Sequence, residues 1–143
     1  MSLLNIFDVA GSGMAAQTVR LNTTASNVAN AQSVAENPED TYRARYPVFQ
    51  TALHAELDGR SAQANPVGAG VTVPGIVESQ KDLVVRYEPD HPYANEEGYV
   101  TYPNVSVVEE MANMISASRS FQVNVEVMNT AKSLAERVLT LGQ

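Results

Sequence analysis

The sequence predicts a mainly α-helical fold, in which long N- and C-terminal helices pack as an antiparallel, coiled-coil-like pair with a small β-rich insert between them. Apolar residues recur with helical spacing near both ends, whereas the middle alternates polar and apolar residues between Gly- and Pro-containing breaks. Charge is also unevenly placed, because thirteen of the sixteen acidic residues lie between Glu36 and Glu110. We therefore expect three segments, 1–34, 35–103 and 104–143.

The N-terminal helix is predicted over about residues 3–33. Phe7, Met14, Leu21 and Val28 recur every seven residues and mark one helical stripe, and Arg20 is the only charge between positions 9 and 35. Seven uncharged polar residues that are weak helix formers occupy positions 22–33, and together they disfavour the helix by about 3–5 kcal/mol relative to Ala. We expect this segment to be frayed alone and helical once another protein surface covers its stripe.

The middle segment reads as short strands joined by loops. The run NPED at 37–40 breaks the first helix, and the alternation in YRARY at 42–46 predicts a strand. A polar stretch rich in Gly and Ala at 56–70 predicts a loop, and further strands are expected within GVTVPGIVE, DLVVRYEP and YVTY. In the second of these, Leu83, Val85 and Tyr87 share one face. The insert holds too few apolar residues to bury a large core.

The C-terminal helix has the clearest pattern. Its residues follow the alternating three- and four-residue spacing of a coiled-coil seam: Val107, Met111, Met114, Ser118, Phe121, Val125, Met128, Lys132, Ala135 and Leu139. Ser106 and Glu109 form a capping-box sequence before it, and Gly142 suits its end.

Composition excludes several classes of function. The chain has no Cys, so disulfides and thiolate sites are impossible, and it has no run of eighteen apolar residues that could span a bilayer. A net charge of −7 argues against binding to nucleic acid or anionic lipid. The first residues, MSLLNIFDVAGSG, lack the cationic region of a cleaved secretory signal, so we expect any export to use another route.

Two short patterns resemble ligand sites but have simpler explanations. Gly11, Gly13 and Ala16 have the spacing of a dinucleotide-binding turn, yet the helical repeat continues through them, which favours small residues that let a neighbouring helix approach. The group Asp90, His91, Glu96 and Glu97 has no second cluster of ligands and suits a Pro-bounded loop. We expect no catalytic, cofactor or metal site.

Helices poor in charge are typical of segments surrounded by other protein, because Asn, Ser and Thr satisfy hydrogen bonds without burying a charge. We therefore expect the two helices to pack on each other and to turn their remaining faces to copies or relatives of this chain. Head-to-tail contacts of that kind build rings or open helical tubes. The sequence thus favours a subunit of an assembly.

The terminal segments also resemble a known family. IFDVAGSGMAAQTVRLNTTASNVANAQS at 6–33 is similar to the N-terminal motif of the flagellar rod and hook family, with its LN and SN.AN elements. HPYANEEGYVTYPNVSVVEEMANMISASRSFQVNVEVMNTAKSLAERVLTLGQ at 91–143 resembles the C-terminal part of its short proximal-rod member. The family's T.GY.R pattern is loosened here to NPEDTYRARY, and the middle of the chain matches less closely.

The resemblance implies a structural subunit of the bacterial flagellar basal-body rod, a hollow periplasmic shaft that transmits torque from the motor's membrane ring to the hook. It implies export through the flagellar type III apparatus without a cleaved signal, and contacts with copies of itself, other rod proteins, the ring and the export apparatus. The expected assembly interface comprises Phe7, Met14, Leu21, Asn22, Asn27, Val28, Asn30, Met111, Met114, Phe121, Asn124, Val125 and Met128. The alternatives are another rod-family subunit, a generic helical-filament or export-associated coiled-coil protein, and, more remotely, an enzyme.

Overall fold

The computed structural model of the chain describes residues 3–52 and 70–141. Helix α1 (Leu3–Ala29) is followed by a short 3₁₀ turn (Pro38–Asp40), four strands and helix α2 (Val107–Leu141). The strands are β1 (Arg45–Ala52), β2 (Gly70–Glu78), β3 (Val84–Tyr87) and β4 (Tyr99–Tyr102). Two long terminal helices with a small β insert confirm the predicted fold class.

Helix α1 ends four residues earlier than its apolar stripe suggested. After Ala29 the chain forms tight turns in which the Asn30 side chain donates to the carbonyl of Ser26 at 2.8 Å. The Ser33 hydroxyl donates to the carbonyl of Asn30, also at 2.8 Å. Asn and Ser compete for backbone carbonyls in this way at helix ends, so they stop α1 where an apolar pattern alone continues.

Helix α2 begins where the capping residues predicted. The Glu109 amide donates to the Ser106 hydroxyl at 3.4 Å, and the Glu110 amide donates to the Ser106 carbonyl at 2.9 Å. Glu109 and Glu110 also place negative charge in the first turn, where the helix dipole favours it. The predicted end at Gly142 lies outside the described residues.

The two helices run antiparallel along most of α1. Near one end the Asn27 amide reaches the Glu110 carboxylate, and further along Arg20 reaches Asn113. Gly13 lies against Asn124 towards the other end. Residue numbers therefore rise along α1 as they fall along α2, and the pairing brings the start of α1 and the end of α2 to the same end of the molecule.

The β insert consists of two separate antiparallel pairs. Strand β1 pairs with β2 from Arg45 opposite Glu78 to Ala52 opposite Gly70, with an irregularity between Val48 and Gln50. Strand β3 pairs with β4 from Val84 opposite Tyr102 to Tyr87 opposite Tyr99. The β1–β2 ribbon packs on α1, whereas β3–β4 is linked mainly through loops.

Strand β1 differs from its prediction. It begins at Arg45 instead of position 42 and runs to Ala52, through residues with no strand prediction. The backbone amides of Ala44 and Arg45 donate to side-chain oxygens, that of Ala44 to Asn104 and that of Arg45 to Asn27. Because these amides are already bonded, regular strand pairing starts only at Arg45. The predicted β2 and β4 strands match the observed ones, while most of the predicted 56–70 loop lies outside the described residues.

The core is small and made of small side chains. The buried apolar side chains of the described chain are five alanines, Val100 and Pro103, and the largest fully buried side chains include Glu110 and Asn27. Neither described helix is long and apolar enough to cross a membrane.

Candidate assembly site

The inner face of α2 is set by small and polar residues, which corrects the predicted seam. Glu110, Ala117 and Ala131 are buried, with Asn124 half-buried between them, at strict seven-residue spacing. Four of the ten predicted seam residues lie beside this line and are half-buried, namely Met114, Phe121, Met128 and Ala135. The other six lie on the far side of it or at the helix ends.

The other six predicted seam positions lie towards the outside of α2. Met111 is 56% exposed and Leu139 is 73% exposed, Val107 and Lys132 are exposed, and Val125 and Ser118 are half-buried. The prediction was wrong here because it followed the large apolar side chains. A close helix pair instead places its smallest residues at the line of contact, as GxxxG-like pairs do.

Gly13 shows how close the helices come. A Cβ atom built on Gly13 would lie 2.8 Å from the Asn124 side-chain nitrogen, a distance that real Cβ atoms avoid. Gly11, two residues earlier, has nothing within 4 Å of the same virtual atom. Helix α1 passes through both glycines without interruption, so this G-x-G-x-x-A sequence serves close helix packing, as the sequence analysis favoured.

The predicted stripe of α1 flanks the contact line. Phe7, Met14, Leu21 and Val28 are all half-buried, whereas Ala10 and Ala16 are buried. At 100° per residue the stripe lies on the side of α1 away from Ser12, whose hydroxyl accepts the Val71 amide of the ribbon at 3.0 Å. The stripe is therefore partly covered within the chain and partly available to a neighbour.

Asn27 joins the helix pair to the β1–β2 ribbon. Its side chain is 0% exposed, and its oxygen accepts hydrogen bonds from the Tyr42 hydroxyl at 2.8 Å and the Arg45 amide at 2.9 Å. Its nitrogen donates to the Arg45 carbonyl and to the Glu110 carboxylate, both at 2.9 Å. Two donors and two acceptor lone pairs are thus fully used. Asn27 binds the backbone of β1 as a neighbouring strand would.

Glu110 is the largest fully buried side chain at this junction, 1% exposed. Its carboxylate accepts from Asn27 and, at 3.4 Å, from Asn113, whose oxygen accepts from Arg20 at 3.0 Å. Among the ranges 3–52 and 70–141 the only ion pair is Arg45–Glu78 at 2.9 Å, so no described cation touches Glu110 directly. Amide donors and the helix N-terminus hold this charge.

The buried carboxylate also affects a neighbouring phenol. Burial raises the pKa of Tyr46, and the negative charges of Glu110 and Glu109 raise it further. The phenol therefore stays protonated above its usual range.

A second asparagine ties three segments together. Asn104, just before α2, accepts the Ala44 amide at 2.8 Å and donates to the Lys81 carbonyl at 2.8 Å. The structural roles of four residues were not predicted from the sequence: Asn104, Glu110, Ala117 and Ala131. The seven-residue spacing of Glu110, Ala117, Asn124 and Ala131 was the available signal, and it is hidden when only large apolar residues are counted.

The outer faces of the helices carry large apolar side chains. Val108, Met111 and Ile115 are 79%, 56% and 57% exposed near the start of α2. Towards its end Val127 and Leu134 help to form an apolar groove of about 330 Å³ with Ile6 of α1. Of the other predicted interface residues, Asn22 is exposed and Asn30 is half-buried.

The acidic loop at 90–97 was the other ligand-like pattern of the sequence. Within the described parts of the chain no group of three or more His, Asp or Glu residues is placed to hold a metal ion. The His91 ring nitrogen instead accepts the Tyr93 amide at 3.1 Å. The second histidine, His54, lies outside the described residues.

Comparison with known proteins decides the family. The family described as flagella basal body rod protein matches residues 7–34, and the C-terminal family of flagellar basal body rod FlgEFG proteins matches residues 96–141. The chain is 51% identical, over the full length of both chains, to the flagellar basal-body rod protein FlgC of Salmonella typhimurium.

The chain belongs to the FlgC family of flagellar basal-body rod proteins. It is also 50% identical to FlgC of Escherichia coli O157:H7 over the full length of both, and 32% identical to that of Borreliella burgdorferi over 100% of this chain and 99% of the relative. These comparisons confirm the resemblance seen in the terminal segments, and they identify the chain as a structural subunit of the basal-body rod. The two family matches cover α2 and most of α1, where the assembly residues were expected.

Proposed function

We propose that this chain builds the proximal part of a hollow rod, with its helix pair as the packing unit of the shaft and its β insert as a rigid attachment. The chain divides functionally into assembly helices at 1–34 and 104–143 and an insert at 35–103. The rod transmits torque from the membrane ring of the motor to the hook. We propose that its neighbours in the rod are copies of this chain and other flagellar rod proteins, which its membership of the family supports. We also propose contacts with the membrane ring and the export apparatus.

A single observation carries this proposal: the helix pair buries small residues inside and exposes large apolar ones outside. Nineteen large apolar side chains of the described chain are exposed, and nine of them lie on α2. Contiguous apolar surface of this kind marks protein interaction sites in soluble proteins. The outward faces therefore suit neighbouring subunits, which is also what the low charge of both helices favours.

The proposed interface keeps the predicted residues but divides their roles. Met114, Phe121, Asn124 and Met128 pack within the chain beside the seam, and Asn27 fixes the insert. Met111, Val125, Asn22 and Asn30 face neighbours, together with the half-covered stripe of Phe7, Met14, Leu21 and Val28. The fully used hydrogen bonds of Asn27 support its internal role, and the 56% exposure of Met111 supports an external one.

Torque transmission requires that the insert and the helices move as one body. Asn27 and Asn104 supply that coupling, because each binds main-chain groups of the β insert from a helix or its lead-in. The bonds at Asn27 are sheltered from water, which makes them costly to leave unmade. The β insert therefore has little freedom to move relative to the helices.

Export without a cleaved signal, in an unfolded form, fits the composition. The chain has no Cys to oxidise, and a core composed mainly of alanines gives the isolated chain little stability to lose before translocation. We place the assembled protein in the periplasmic rod, and we propose no enzymatic activity for it.

Quantitative mass spectrometry of purified hook–basal bodies from cells making this protein tests the proposal. We expect the chain at a stoichiometry of a few copies, together with other rod proteins. A chain that is absent from intact basal bodies, while forming a stable soluble oligomer by itself, would favour the generic helical-filament alternative.

A further inference from the structure

The β3–β4 pair turns one face towards the body of the chain. Directly opposed residues of antiparallel strands share a face, and the register places Arg86 with Val100 and Val84 with Tyr102. Val100 is 0% exposed, and the Arg86 guanidinium lies 4.7 Å from the centre of the Tyr102 ring. Val100 and the half-buried Tyr102 are thus covered by the chain itself, whereas Val84, at the start of β3, is 43% exposed.

The outer face has no such cover. It carries Val85, Tyr87 and Tyr99, which are 58%, 65% and 43% exposed. The two tyrosine rings meet edge to face with centres 5.3 Å apart. In the described parts of the chain, neither helix nor the β1–β2 ribbon packs extensively on this pair. The alternation of Leu83, Val85 and Tyr87 is the pattern of a strand face that is buried, so the face is built for a cover that one chain does not supply.

This outer face is held in a fixed shape. Gly98 has φ of +82°, and a Cβ atom built there would lie 2.9 Å from Cε2 of Tyr87. The Asn95 side-chain oxygen accepts the amides of Glu97 and Tyr99, the latter at 2.8 Å. A surface that is already ordered loses little conformational entropy when it binds a partner.

The charge around the outer face is strongly negative. Positions 82–97 hold one cation, Arg86, and five acids, namely Asp82, Glu88, Asp90, Glu96 and Glu97. This stretch therefore carries four of the chain's seven net negative charges. Arg86 lies on the inner face, over Tyr102. Glu88 accepts the Tyr102 hydroxyl and so lies towards the inner face, whereas Asp90, Glu96 and Glu97 belong to the turns that join the two strands. The outer face therefore presents two tyrosines and a valine beside an acidic turn.

We propose that this outer face, formed by Val85, Tyr87 and Tyr99 with the acidic turn beside it, docks a different protein through a surface of arginine or lysine side chains around an apolar centre. Carboxylates and tyrosine rings both attract a guanidinium, by ion pairing and by cation–π contact, while Val85 and the rings cover apolar atoms. A second copy is a poorer partner, because this chain carries a net charge of −7, of which −3 remains when positions 82–97 are left out. The inference goes beyond incorporation into the rod.

The test uses the purified full chain and a fluorescein-labelled ten-residue peptide of alternating arginine and valine, with binding followed by fluorescence anisotropy at 50 and 150 mM salt. One variant removes turn charge (Asp90→Asn, Glu96→Gln, Glu97→Gln) and keeps Glu88, whose carboxylate accepts the Tyr102 hydroxyl at 2.9 Å. Its matched control removes three exposed charges elsewhere (Glu36→Gln, Glu39→Gln, Glu136→Gln). A second variant, Val85→Thr with Tyr87→Thr, removes apolar surface but keeps strand-forming residues. Its control is Ile76→Thr with Val77→Thr on the other ribbon.

We expect the turn-charge variant to weaken binding about tenfold, because three exposed charge contacts are lost together. The Val85 and Tyr87 variant should weaken it about fivefold, and both controls less than twofold. An equal loss in the Glu36 control would mean attraction to net charge alone, and wild-type affinity in the Val85 and Tyr87 variant would mean that the tyrosine face takes no part. Either result, or no binding by the wild-type chain, overturns the proposal. Because the assay needs no rod, its outcome is independent of whether the chain incorporates into basal bodies.

Discussion

The contact line between the two helices differs from the outer surfaces of α2 and the β ribbons in the size of its side chains. In an ordinary core the large apolar side chains are buried, whereas here they lie outside. Along the helix contact line the buried residues are alanines, threonines, Asn27 and Glu110, while valines, isoleucines and tyrosines lie exposed on α2 and on both ribbons. Small inner residues allow close approach but bury little apolar area, so they contribute little stability. The contacts within this chain therefore specify how its parts pack, while most of its hydrophobic stabilisation is left to contacts with neighbouring subunits.

The largest effect is expected from a charge placed beside the contact line. Met114→Asp puts a carboxylate into a half-buried position between the helices, where an unpaired charge is strongly disfavoured. We expect loss of motility and at least a tenfold fall in copies per basal body, measured by swimming assays and quantitative mass spectrometry. Val125→Asp, on the flank, should also abolish motility.

Met111→Asp sharpens the same comparison. Met111 is 56% exposed, so a carboxylate there stays hydrated in the free chain and should leave its circular dichroism spectrum unchanged. Rod incorporation should still fall, because a neighbour covers this position in the proposed assembly. Motile cells carrying Met114→Asp would contradict the seam, and full incorporation of Met111→Asp would contradict the outer interface.

Removing the buried amide of the junction should be nearly as damaging. Asn27→Ala leaves the Glu110 carboxylate without its closest donor and both main-chain groups of Arg45 without partners, a loss of about 3–5 kcal/mol. We expect few copies in basal bodies and weak motility. Asn37→Ala is the control, since Asn37 is exposed, lies outside the proposed interface, and its side-chain amide donates only to the nearby Asp40 carboxylate, at 3.2 Å. Equal incorporation of the two variants would show that the junction adds nothing.

The two glycines of α1 offer a smaller, matched contrast. Gly13→Val should destabilise the helix pair by about 1–3 kcal/mol, because its side chain meets Asn124. Gly11→Ala meets nothing within 4 Å and should stabilise α1 by about 0.5–1 kcal/mol. The helix signal of the purified chain during titration with trimethylamine oxide, which strengthens burial, measures both. The midpoint should rise for Gly13→Val and fall for Gly11→Ala, and the same direction in both would refute close packing at Gly13.

The smallest effect concerns alkaline pH. The pKa of Tyr46 is raised in the folded chain, so its contribution to stability is present below about pH 10, the usual tyrosine value, and is lost as pH rises through the folded pKa. The osmolyte midpoint of wild type should therefore rise above pH 10 more than that of Tyr46→Phe. Identical pH profiles would show that Glu110 does not act on this phenol.

Much of the fold could be predicted from sequence because helix periodicity and turn residues are local signals. The capping residue Ser106, the strands 70–78 and 99–102 and the antiparallel helix pair all follow from them. The position of the α2 contact line did not, since Met111 and Val125 carry the same apolar signal as Met114 and Phe121. Packing chose the register through small residues that hydrophobic patterns do not detect.

The asparagines show the same limit in another form. Asn22, Asn27, Asn30 and Asn124 look alike in sequence, yet one is exposed, one is fully buried, one caps its own helix end and one packs on a glycine. What separates them is the tertiary partner, such as Glu110, which lies 83 positions from Asn27. Long-range pairing of polar groups has no periodic signature to find.

Amide hydrogen exchange, followed by mass spectrometry on the free chain and on the same chain in purified basal bodies, tests the central claim most directly. In the free chain we expect rapid exchange across α1 and α2, and much less helix by circular dichroism than two 30-residue helices would give. In the rod we expect strong protection of both helices. Strong protection of both helices in the free chain, together with cooperative thermal unfolding, would contradict the claim.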